Sequence, residues 1–150
     1  MNKCFLLALI FFTVGCTTTG QPYSPPPPAP QGKALIYFMR TSVWYGNGWP
    51  TVFSVNNTKI VSLYDDGYSW IHLDSGSYKF SAGNVMHPNY LEFTMPIEAG
   101  REYILEYGQT SSFQAHRDVF ESVSVDDRKS SVLEFQKYKE ADKVEIPRKP

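Results

Sequence analysis

The chain has 150 residues, 42% of them hydrophobic and 15% aromatic, enough for one small domain built on a single apolar core. Its 14 Lys and Arg stand against 15 Asp and Glu, a formal net charge of -1. That balance excludes an avid binder of a phosphate backbone, and no nucleic acid is expected as a partner.

Residues 1–15 read as a leader. Met1-Asn2-Lys3 carries one positive charge, residues 4–12 are continuously apolar, and Thr13-Val14-Gly15 brings small residues up to Cys16. The apolar run is well short of the ~20 residues that cross a bilayer core, so a signal peptide is expected rather than a transmembrane helix.

A cysteine directly after a small residue at the end of such a run resembles bacterial lipoprotein signal sequences, although that family most often has Leu where this chain has Thr13. The resemblance implies that Cys16 is diacylated on its thiol, that the leader is cut before it, and that its new amino group is then acylated. Two or three acyl chains, such as palmitate, anchor a protein stably where one holds only marginally. Thr17, rather than Asp, follows the cysteine. In the enterobacterial sorting scheme this resembles, that favours the outer membrane, with the domain facing the periplasm.

With Cys4 in the leader and Cys16 acylated, the mature domain holds no free thiol, which excludes disulfides, thiolate nucleophiles and Cys-ligated zinc. Residues 16–32 comprise the lipidated cysteine and a tether. Threonines, Pro22 and the run Pro25-Pro26-Pro27-Pro28-Ala29-Pro30 have little to bury and favour an extended, unfolded spacer with a reach on the order of 50 Å.

Residues 33–143 form the expected domain. Ala34-Leu35-Ile36-Tyr37-Phe38-Met39-Arg40 is a dense β-branched and aromatic run, which predicts a central strand buried on both faces. Arg40, at its end, is expected to be solvated or to pair with a carboxylate at the domain rim. Residues 51–55 and 59–63 flank Asn56-Asn57-Thr58, and asparagine tolerates positive φ, so a hairpin is expected there. Tyr64-Asp65-Asp66-Gly67 is the next turn. In residues 68–73, Tyr68, Trp70 and His72 share one face while Ser69, Ile71 and Leu73 share the other. Residues 77–82 and 91–95 alternate apolar with polar, which gives each strand one wet face, and residues 103–107 and 113–125 supply the last strands.

Short strands separated by turn signals predict a mostly β fold, an antiparallel β-sandwich or small open barrel. Ser131-Val132-Leu133-Glu134 fits a capping box. Val132, Phe135 and Tyr138 then recur at helical spacing, which predicts one C-terminal helix running to about Ala141, with residues 144–150 frayed.

The segments Gly32-Lys33-Ala34-Leu35-Ile36-Tyr37-Phe38-Met39-Arg40, Leu73-Asp74-Ser75-Gly76-Ser77-Tyr78 and Ala99-Gly100-Arg101-Glu102-Tyr103 resemble a family of small predicted bacterial lipoproteins that carry a domain of unknown function. These motifs are structural. The resemblance implies a β-rich lipoprotein and no reaction.

Trp44-Tyr45-Gly46-Asn47-Gly48-Trp49-Pro50 is a glycine-punctuated loop with three large aromatics. Two readings apply to it. Exposed rings of this kind stack on sugar faces, which makes Trp44, Tyr45, Trp49 and Trp70 the candidate ligand-binding aromatics; the alternative is a loop folded back over one end of the core.

Catalytic and metal signatures are missing from the sequence. His72, His87 and His116 are isolated, with no His-x-x-x-His or His-Glu-x-x-His spacing, and no Gly-x-Ser-x-Gly elbow presents a serine. Asp65 and Asp66 begin no oxygen-ligand series for calcium. The expectation is a non-enzymatic, lipid-anchored domain without cofactor or metal. It is held to the membrane and meets envelope proteins or peptidoglycan.

Overall fold

The computed structural model describes residues 20–42, 48–84, 87–112, 115–123, 125 and 139–141. Nine β-strands lie among these residues: β1 Lys33–Arg40, β2 Thr51–Val55, β3 Thr58–Leu63, β4 Gly67–Asp74, β5 Gly76–Asn84, β6 His87–Ile97, β7 Glu102–Ser112, β8 Ala115–Val123 and β9 Lys139–Glu140. The fold is mostly β.

The turn residues explain where strands stop. Asn56 and Asn57 both take positive φ, at 48° and 64°, the backbone twist that lets a two-residue loop join β2 to β3 without splaying them. Asp66 also sits at positive φ, and the Gly67 N–H donates to the Tyr64 carbonyl at 3.0 Å to close the next turn. Gly100, at φ 77°, ends the β6–β7 connection, and its N–H donates to the Lys33 carbonyl at the start of β1. That contact delivers β7 beside β1 with both strands running the same way.

The strands form two sheets, one ordered β8-β7-β1-β4-β9 and the other β3-β2-β5-β6. As its unbroken apolar run predicts, β1 is the central strand of the first sheet. Register places Ala34, Ile36, Phe38 and Arg40 on one face and Leu35, Tyr37 and Met39 on the other. The first set meets the second sheet. Ile36, Phe38, Ile71, Leu105 and Phe120 from the five-stranded sheet join Phe53, Val61, Leu63, Phe80 and Ala82 from the four-stranded one in a single cluster of buried side chains. Tilted and edge-on ring contacts run through it: Phe38 to Phe53 at 5.5 Å, Phe53 to Phe120 at 5.8 Å and Phe93 to Phe120 at 4.9 Å.

The two outer faces differ. On the four-stranded sheet, Ser54 and Ser81 are cross-strand partners and Lys79 pairs with Glu92 at 3.0 Å, a polar surface of the kind the alternation in β5 and β6 predicts. On the five-stranded sheet the outer face is apolar. Leu35, Tyr37, Met39, Tyr68 and Ile104 form a second buried cluster, with Tyr23, Ala29, Trp70, Val123 and Val125 packed against it.

Three expectations change. First, the five-stranded sheet is mixed rather than antiparallel, because β7 runs parallel to β1 and β9 parallel to β4. A period of two in side-chain burial is common to both kinds of pairing and does not separate them. Second, the helix expected to run to Ala141 does not reach it. Lys139–Glu140 is a strand paired with Gly67 and Tyr68, and residues 126–138 lie outside the described set. The open edge of β4 satisfies the backbone groups that a last helical turn would otherwise bond internally. Third, residues read as a free spacer lie on the protein. Tyr23 packs against Tyr68 in a tilted contact with ring centroids 5.2 Å apart, and the Lys33 N–H donates to the Pro30 carbonyl.

Candidate functional site

The least expected side chain in the core is Arg40. Its register on β1 turns it inward beside Phe38, at the end of the sheet where β4 begins, and only 1% of it is exposed. A bare guanidinium in that position would be prohibitively desolvated, so its partners decide whether the fold tolerates it. Nη2 pairs with Asp65 Oδ1 at 2.8 Å, while Nη1 donates to the Leu63 carbonyl at 2.9 Å and to the Trp49 carbonyl at 2.5 Å. Burial pushes the guanidinium below its usual pKa, and Asp65 opposes that shift. One side chain thus ties together the end of β1, the end of β3, the β3–β4 turn and the residue leading into β2.

This latch sets the surface above it. Trp49 is fastened through its backbone carbonyl, yet the residue as a whole is 49% exposed, and Tyr64, next to the two latch residues Leu63 and Asp65, is 39% exposed. Two large aromatics therefore stand out at the end of the domain that Arg40 closes. Rings of this kind, apolar in body with a polar edge, suit stacking on sugars or lodging in a membrane interface.

The candidate aromatics do not converge. Trp70 lies on the outer face of the five-stranded sheet, half-buried, opposite Tyr37 in the β1–β4 register and 5.2 Å from the His72 ring. Trp49 belongs to the latched end instead. Trp44 and Tyr45 lie outside the described residues, as does Cys16. Sequence reading of the Trp49 loop offered exposed ring or core cover, and the structure divides these between one residue's atoms: the carbonyl faces the latch and the indole faces outward.

Buried tyrosines complete the polar groups. Burial raises the hydroxyl pKa values of Tyr37, Tyr68 and Tyr107, helped at Tyr37 by its contact with Tyr23 and at Tyr107 by its hydrogen bond with Asp118. None of these groups is a poised acid or base near neutral pH. No cluster of three or more His, Cys, Asp or Glu able to hold a metal occurs among the described residues, and no helix among them is long and apolar enough to cross a membrane.

A carboxylate partner for Arg40 at the domain rim was one of the two sequence expectations, and the structure makes it Asp65, with both side chains buried rather than solvated. The signal for that burial was the inward place of Arg40 in an alternation set by Ala34, Ile36 and Phe38. The docking of the proline-rich segment escaped sequence reading. Tyr23, the one aromatic in the proline-rich segment, was the mark of a docking residue. Compared with models of protein families and with curated proteins, the chain matches none.

Proposed function

We propose that the chain is a lipoprotein of the bacterial cell envelope: a non-enzymatic β-sandwich, anchored through acylated Cys16, with a structural or protein-interaction role. The observation that carries this reading is Thr13-Val14-Gly15-Cys16 at the end of a short apolar leader, followed by a proline-rich segment and a compact domain. The two-sheet arrangement around one shared core favours the sandwich over an open barrel. The burial of Arg40 against Asp65 and two carbonyls favours a structural role for the most unusual charged group in the fold. The resemblance to small β-rich lipoproteins and an outer-membrane address facing the periplasm belong to the same proposal. The test is Cys16→Ser: the wild-type protein fractionates with membranes and carries acyl mass, and the variant loses both. Equal membrane retention and equal processing of the variant would end the lipoprotein reading.

The exposure of the Trp49 indole supports a second reading, in which this end of the domain binds envelope glycans such as peptidoglycan. Sedimentation with purified peptidoglycan decides it. The reading requires Trp49→Ala to reduce binding several-fold and Trp70→Ala, on another surface, to leave it unchanged.

A further inference from the structure

The proline-rich segment is held at both ends. At its C-terminal end Gly32 takes φ 83° and the Lys33 N–H donates to the Pro30 carbonyl at 3.0 Å. Further back, Tyr23 and Ala29 pack on the outer apolar face of the five-stranded sheet. The Tyr68 hydroxyl accepts from the Ser24 N–H at 3.1 Å and donates to the Ser24 carbonyl at 3.4 Å. At the other end the Glu140 N–H donates to the Gln21 carbonyl at 2.9 Å, and a side chain at position 20 would collide with the Glu140 carbonyl, so Gly20 is the residue that permits this approach.

The point where the segment leaves the domain follows from the same contacts. Glu140 pairs with Tyr68 at the start of β4, Tyr68 stands opposite Met39, and the next pair along is Gly67 with Arg40. Arg40 bonds the Trp49 carbonyl, and Gly67 bonds the Tyr64 carbonyl. The chain thus departs from the sheet end that carries the exposed Trp49 and Tyr64.

We propose that the docked segment works as a strap that presents this aromatic end to the bilayer interface, where Trp49 and Tyr64 lodge at headgroup depth. The proposal rests on the anchoring of Cys16. Only three residues separate Cys16 from Gly20, so that connection spans at most about 14 Å, against the ~50 Å of a fully detached spacer. A domain held that closely, by a tether leaving from its aromatic end, turns that end toward the membrane. Tryptophan and tyrosine are the residues enriched at that depth, their rings sharing an apolar body with a polar edge.

The experiment uses the protein as cells produce it, with Trp44→Phe and Trp70→Phe leaving Trp49 as its one indole. It is reconstituted into phosphatidylethanolamine and phosphatidylglycerol vesicles with lipids brominated at defined depths. Mass spectrometry reads the acylation of Cys16 separately. The expected result is at least twofold quenching of Trp49, strongest for bromines near the headgroups. The strap-release variant Tyr23→Ala with Ser24→Pro, which removes the ring and the N–H that engage Tyr68, restores most of the fluorescence while the protein stays on the vesicle. Far-ultraviolet circular dichroism confirms that the variant is folded; should it not be, Tyr23→Ala alone is used. If the mass shows a bare Cys16, the anchoring reading fails on its own, and the same quenching is measured after coupling the Cys16 thiol to a maleimide lipid in a Cys4→Ser background. Unquenched Trp49 in the anchored protein, quenching that survives strap release, or a Trp49 signal that answers to soluble peptidoglycan fragments and not to brominated lipid would each overturn the proposal.

Discussion

The buried pair of Arg40 and Asp65 invites a double-mutant cycle. Their side chains are 1% and 8% exposed, and the pair is joined at 2.8 Å, so neither charge has solvent to fall back on. Asp65→Asn keeps the shape and removes the nearest counter-charge, which leaves the guanidinium with neutral acceptors such as the carbonyls of Leu63 and Trp49 in its place. Breaking a buried pair in this way costs about 3–5 kcal/mol, because the surviving ion stays desolvated. Arg40→Met falls in the same range, since it takes the guanidinium counter-charge from the buried carboxylate and a donor from two carbonyls. The double variant Arg40→Met with Asp65→Leu strands no charge. Its cost is limited to the unbonded carbonyls, about 1–2 kcal/mol, which leaves a coupling energy of at least about 4 kcal/mol. Urea unfolding followed by circular dichroism reads each value. With m near 1.5 kcal/mol/M a 3 kcal/mol loss moves the midpoint down by about 2 M. The reasoning fails if Asp65→Asn costs less than about 1 kcal/mol, or if the double variant loses the sum of the two single losses.

Three further outcomes follow from other parts of the fold. Tyr37, Tyr68 and Tyr107 have folded pKa values raised above the unfolded value near 10, so the fold favours their neutral form. The stability they hold is full below about pH 10 and is lost as pH rises toward the folded values, at about 1.4 kcal/mol per pH unit for each tyrosine. Urea midpoints should therefore be flat from pH 8 to 9.5 and fall steeply above about pH 10; a flat profile to pH 11.5 contradicts this. Thr51 is fully buried, and its hydroxyl has no hydrogen-bond partner among the described residues. Thr51→Val should accordingly raise stability by about 1 kcal/mol in the same assay, and a loss would mean that the hydroxyl is engaged. Asn57 holds φ at 64° in the β2–β3 turn. Replacing it by Val should cost about 1–2 kcal/mol and replacing it by Gly almost nothing, and equal stability of the two variants would show that the turn relaxes.

The local elements were legible because their causes are local. The apolar density of residues 34–39 marked β1 as the central strand, paired asparagines marked the β2–β3 turn, and alternation in β4 put Tyr68, Trp70 and His72 on one face. What the sequence did not carry was partnership across distance. Whether β7 lies parallel or antiparallel to β1 depends on which end of β1 the β6–β7 turn reaches, and that is settled by the Gly100 and Arg101 backbone meeting Lys33 and Leu35. The same holds for β9, whose two residues pair with Gly67 and Tyr68 far back in the chain.

The outer face of the five-stranded sheet shows why a compositional reading of the proline-rich segment fell short. Proline-rich sequence lacks the means to build its own core, and from that it follows only that the segment does not fold alone. It does not follow that the segment stays away from a core built by others. Tyr68, Tyr37, Leu35, Met39 and Ile104 make β1, β4 and β7 apolar on the side away from the second sheet, a surplus that a two-layer domain cannot bury between its layers. An extended chain with few conformations to lose is a suitable cover, and the single aromatic Tyr23 supplies the anchoring ring. The surplus apolar residues of β1 and the lone tyrosine among prolines are thus two halves of one contact. Each was visible in the sequence, and only their register on the folded sheet joins them.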